Sequence, residues 1–133
     1  GSAATMTVKP GREIEVRSAG RYALTLLYDN HRYAINTGIT NAVKRVDILD
    51  RAGRTVGRGV VQMPHIDPEN GTHPLRNSTE LRLTLQPGTY SARLSDDFNM
   101  SDLQANATYA HAGGKTGPVN AADVFAVNLT KLP

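Results

Sequence analysis

The stretch Glu80-Leu81-Arg82-Leu83-Thr84-Leu85-Gln86-Pro87-Gly88-Thr89-Tyr90-Ser91-Ala92-Arg93-Leu94-Ser95 decides the fold class. Through Leu85, leucine alternates with a charged or hydroxyl residue. Leu81, Leu83 and Leu85 therefore share one face, and Glu80, Arg82 and Thr84 the other. A period of two belongs to an extended strand with one dry side, because successive side chains point to opposite faces. Gln86-Pro87-Gly88 then turns the chain, with proline presetting φ at the second turn position and glycine tolerating the next. Alternation resumes with Tyr90, Ala92 and Leu94 on one face.

The same period runs outward in both directions. In Arg12–Ser18, Ile14 and Val16 alternate with Glu13, Glu15 and Arg17. Beyond the turn at Ser18-Ala19-Gly20, Tyr22–Tyr28 is nearly continuous in apolar residues, which predicts a central strand covered on both sides. Val43–Leu49 and Thr55–Met63 predict two more strands, joined by a hairpin at Asp50-Arg51-Ala52-Gly53-Arg54 in which glycine supplies a positive φ. Val124–Leu132 closes the chain as a last strand. Seven or eight short strands with no long helix make an all-β sandwich or barrel.

Composition narrows the function classes. A chain of 133 residues, 39% hydrophobic, supports one core. Residues 1–4 read as a cloning scar and linker, and 5–133 as a single domain. With 12 glycines, 7 prolines and 20% charged residues, it is neither a coiled coil nor a disordered tail. No stretch approaches the roughly 18 apolar residues of a membrane-spanning helix. The absence of cysteine excludes a disulfide scaffold, a zinc–thiolate site and a thiol nucleophile. Net charge is +3, from 15 basic and 12 acidic residues. There is no basic run and no interleaved aromatic platform, so nucleic acid is not an expected partner.

Three long polar connections interrupt the strands: Asp29–Asn41, Pro64–Thr79 and Asp96–Asp123, the last with room for one or two helical turns at Asp102–Ala110. Connections of this length in a small domain usually carry function. Hydrolysis by paired carboxylates is disfavoured, because no acid stands in an apolar run that would raise its pKa. No Gly-x-Ser-x-Gly turn presents a serine nucleophile. His65, Asp67, Glu69 and His73 cluster in one connection, but at no familiar metal-ligand spacing. Asp97, Asn99 and Ser101 alternate like the first ligands of a calcium loop, yet Asp102 and Thr108 occupy the places of its glycine and glutamate. A calcium site assembled from several loops remains an expectation, with Asp96, Asp97 and Asp123 as donors. The Asn-x-Ser/Thr triplets at Asn70, Asn77, Asn99, Asn106 and Asn128 read mostly as coincidence in a chain rich in these residues.

Sugar binding fits the connections best. Sugars are held by forked hydrogen bonds from Asn, Asp, Arg and His, with an aromatic ring against the apolar face. Asn30, His31, Arg32, Tyr33, Asn36, Asn41, His65, Asn99, Tyr109 and His111 supply these groups. Tyr28 and Tyr90 are expected in the core instead. Eleven arginines suit an anionic sugar, because a guanidinium pairs a carboxylate through two parallel bonds.

A family resemblance points the same way. Ala19-Gly20-Arg21-Tyr22, an apolar strand and then Tyr28-Asp29-Asn30 resemble the signature of galactose-binding-like carbohydrate-binding modules similar to families six and thirty-five. Residues 35–44, Met63-Pro64, Leu85 to Tyr90, Asn99-Met100-Ser101 and 113–120 are similar to stretches of such modules in order. The resemblance implies a jelly-roll sandwich of seven to nine antiparallel strands with long loops at one end and a structural calcium elsewhere. It implies no catalysis of its own. It further implies a monomer in a secreted, extracellular or periplasmic bacterial chain, beside a catalytic glycoside hydrolase or polysaccharide lyase domain. Asn30 matches the family asparagine after the tyrosine strand. The family's glutamate-rich opening strand lies farther upstream of the Gly-x-Tyr turn, so Glu13 and Glu15 do not inherit its calcium role. Two other readings stand beside this one: a structural accessory domain packed on a catalytic partner without binding sugar, and a small lyase or hydrolase acting through Tyr109 or His111.

Overall fold

The computed structural model describes residues 5–30, 42–64, 66–67, 69–72, 74–95 and 122–133. Among them, nine strands form two antiparallel sheets, and there is no helix. The first sheet orders β1 (Thr5–Val8), β9 (Asp123–Lys131) and β3 (Gly20–Asp29), with β6 (Arg76–Asn77) and β7 (Leu81–Leu85) following one another along the far side of β3. The second orders β2 (Glu13–Val16), β8 (Gly88–Ser95), β4 (Ala42–Leu49) and β5 (Thr55–Met63). The chain is thus a two-layer β-sandwich, one of the two architectures the alternation allows.

The inward faces meet in one core. Tyr22, Leu24, Leu26 and Tyr28 of β3 pack with Val127 and Leu129 of β9 in one layer. Ile14, Val16, Val46, Ile48, Val61, Met63, Tyr90 and Ala92 supply the other. Leu81, Leu83 and Leu85 turn toward this core while Arg82 and Thr84 stay exposed. Glycine permits one close approach between the layers: a methyl group on Gly59 of β5 would collide with the Leu81 side chain of β7. The second face of β3 is covered less deeply than the first, with Ala23 buried and Thr25 and Leu27 half-buried.

The turn at Gln86-Pro87-Gly88 differs from its expected form. Gly53 has the anticipated left-handed φ of 85°, but Gly88 is already extended as the first residue of β8. Tyrosine holds this turn instead: the Tyr90 hydroxyl donates to the Gln86 carbonyl at 2.7 Å. The Tyr22 hydroxyl does the same to the Ser18 carbonyl at 2.6 Å. Each Gly-x-Tyr unit therefore buries a ring and ties its polar tip to the carbonyl four residues upstream, which satisfies a buried phenol.

Two strands were not expected, β1 and β6. Both are short, four and two residues, and β6 carries no alternation to read. Between β6 and β7, Ser78 stands in for a ladder residue. Its N–H donates to the Leu26 carbonyl at 2.8 Å, and its Oγ accepts from the Leu26 N–H at 2.9 Å.

Candidate functional site: the strand ends and the arginine face

Register fixes where the three long connections attach. Asp29, the last residue of β3, pairs with Asp123, the first of β9. Ala42, the first of β4, pairs with Met63, the last of β5. Ser95, the last of β8, pairs with Arg45 near the start of β4. All the strand ends flanking 30–41, 64–75 and 96–122 therefore lie at one end of the sandwich. Hydrogen bonds stitch the two layers together there. Asn30 Nδ2 donates to the Met63 carbonyl at 2.9 Å, the Ile66 N–H donates to the Asn30 carbonyl at 2.8 Å, and the Tyr28 hydroxyl donates to the Pro64 carbonyl at 2.7 Å.

Of the sugar-binding candidates, Asn30 is described. It is 2% exposed and bonded to the backbone. Asn30 thus holds the end of the sandwich together rather than facing a ligand: its amide satisfies a buried carbonyl that water cannot reach. Tyr28 and Tyr90 are core residues, as expected. His31, Arg32, Tyr33, Asn36, Asn41, His65, Asn99, Tyr109 and His111 lie outside the described residues, as do Asp96 and Asp97. Asp123 is exposed on β9, directly across from Asp29. Among the described residues, no group of three His, Cys, Asp or Glu side chains comes together.

A second constellation stands on the outward face of the four-stranded sheet. Asp47 of β4 lies between apolar Val46 and Ile48, yet on the opposite face from them. Arg58 of β5 is its cross-strand partner on one side and Arg93 of β8 on the other. Arg45 lies two residues along the same strand, on the same face. Arg58 Nε donates to Asp47 Oδ1 at 2.5 Å, Arg93 Nη2 donates to Oδ2 at 3.3 Å, and Arg45 Nε lies 3.6 Å from Oδ2. The Asp47 side chain is 2% exposed, while those of Arg58 and Arg93 are 53% and 59% exposed.

Asp47 stands between two apolar residues, but its pKa moves down, not up, in line with the expectation that no apolar run raises the pKa of an acid. The Arg58 hydrogen bond is the largest cause, and burial opposes it without prevailing over the three guanidinium groups. The aspartate is therefore held ionised, and it is not a proton donor for hydrolysis.

The signal for this cluster was half present in the sequence. Arg45 and Asp47 share a face by their spacing, and the hairpin places Arg58 opposite. Arg93 comes from a strand 46 residues away and enters only through the register of β4 with β8.

Neither a protein-family model nor a curated protein sequence matches the chain.

Proposed function

We propose that this chain is a non-catalytic carbohydrate-binding module that holds a secreted, bacterial polysaccharide-degrading enzyme on its glycan. The observation that carries this reading is the gathering of three long, polar connections onto one end of a cross-linked sandwich. A rigid slab that anchors several variable segments side by side is a common way to build a binding surface. Those segments hold the Asn, Arg, His and Tyr residues suited to paired hydroxyls and ring faces. The Gly-x-Tyr turns that support the family resemblance have a structural task here, so that resemblance bears on the scaffold more than on the sugar.

Calcium belongs to the proposal as a structural ion. Asp123 at the start of β9 offers a hard oxygen donor of the kind it favours, with Asp96 and Asp97 as the other expected donors. Affinity electrophoresis through gels containing neutral and acidic polysaccharides, with and without a chelator, tests the reading. Retardation by at least one glycan, with no change in that glycan's chain length, is the expected result. Free migration through every polysaccharide, with calcium supplied, overturns it.

A further inference from the structure

We propose that the outward face of the four-stranded sheet is a second binding surface, which takes the carboxylates of a linear acidic polysaccharide. The proposal rests on the carbohydrate-binding reading for the class of polymer, but not for the location.

Charge is the first argument. Three guanidinium groups surround one carboxylate, so the β4–β5–β8 cluster itself keeps a formal excess of two positive charges. Were the arginines there only to neutralise a buried aspartate, one or two would suffice. The second argument is unused hydrogen-bonding capacity. Asp47 engages Nε of Arg58 and one terminal nitrogen of Arg93, and more than half of each side chain remains open to water. Each guanidinium carries five N–H donors in a flat fork suited to carboxylates.

Convergence is the third argument. Arg58 and Arg93 reach Asp47 from the two neighbouring strands, so both guanidinium groups meet at one carboxylate and form a single compact cationic patch. Asp47 fixes the arginines in place before any ligand arrives, which lowers the entropy lost on binding. Among the described residues, Glu13 and Glu15 of β2, opposite Ser91 and Thr89, are the acids on the same face, and they bound the basic patch on the β2 side. Val60, exposed beside Arg45, offers a small apolar contact for a sugar ring there.

The test measures binding of the chain to a polyuronate, a sulfated polysaccharide, a neutral polysaccharide and duplex DNA, at low and high salt. It compares the wild type with the Arg58→Gln/Arg93→Gln pair and the charge-conserving Arg58→Lys/Arg93→Lys pair. Thermal melts confirm that each variant is folded. The expected result is polyuronate binding that weakens steeply with salt and falls about tenfold or more in the glutamine pair, as the loss of two charge-assisted contacts requires. The lysine pair should fall between, because it keeps charge and loses the fork.

Polyuronate binding that survives the glutamine pair unchanged, or no binding to it at all, overturns the proposal. So does preference for DNA, or for the sulfated polymer alone. Binding to the neutral polysaccharide that ignores these substitutions leaves the loop-end reading standing whichever way the arginine face is decided.

Discussion

Replacing Asp47 by asparagine preserves the side chain's shape and removes its charge. The carboxylate is almost fully buried and receives two hydrogen bonds from cationic donors, at 2.5 and 3.3 Å. A hydrogen bond to a charged group contributes about 1.5–3 kcal/mol. Arg58 and Arg93 are more than half exposed, so once released they regain water, and each contribution belongs at the low end of that range. Arg45 Nε, buried 3.6 Å from Oδ2, loses the counter-charge it has among the described residues. The sum is a loss of about 2–3 kcal/mol near neutral pH. For a chain of this size each kcal/mol moves the melting temperature by about 3–4 °C, so Asp47→Asn should melt roughly 6–12 °C below the wild type.

The same substitution fixes the pH dependence. The folded pKa of Asp47 lies below its ordinary value of 3.8, so this stabilisation is complete above that value and disappears as pH falls through the folded one. A protonated aspartic acid is nearly isosteric with asparagine. Melts of the two proteins, followed by circular dichroism from neutral to strongly acidic pH, should therefore converge at the acid end. A difference that stays constant across that range, or melts that already coincide at neutral pH, would refute the charge-based account of the cluster.

Two further substitutions probe the scaffold. Tyr28→Phe removes the 2.7 Å donation to Pro64 that joins the layers at the loop end, and should cost about 1 kcal/mol in denaturant titrations. Burial raises the Tyr28 pKa above 10.0, so the folded state holds the phenolic proton more tightly than the unfolded chain, and wild-type stability should fall as pH rises past that value. The phenylalanine variant should lack this contribution. Ser78→Ala leaves the Leu26 N–H without its acceptor in the central strand, at a cost of about 1–3 kcal/mol, and hydrogen exchange should quicken first at that amide.

The fold was legible wherever one face of a strand is wet. The Leu81–Leu85 and Glu13–Val16 segments alternate because water touches one side and the core the other, and both stand close to where the pattern put them. The two-residue β6 left no such trace, since pairing with β3 rather than any pattern of its own makes it a strand. Gly88 misled for a related reason. Glycine after proline reads as a left-handed turn residue, yet here a tyrosine two positions later holds the turn from a distance of sequence at which no local turn rule operates.

The arginine face shows the same limit in the site. Asp47 looks like a misplaced charge inside Val46-Asp47-Ile48 until the period of two is applied to it. That period sends its neighbours into the core and Asp47 to the opposite side, where burial comes from three arginines instead of apolar packing. Of the eleven arginines, spacing and the hairpin bring Arg45 and Arg58 toward Asp47, but nothing local points to Arg93. Register alone decides that Arg58 and Arg93 meet across one carboxylate while Arg54 pairs locally with Asp50 at the hairpin. A mild net charge of +3 spread along the chain argues against a nucleic-acid partner. The same charge, once β4 aligns β5 and β8, gathers three arginines around one aspartate, and it is this local density that an acidic polymer would meet.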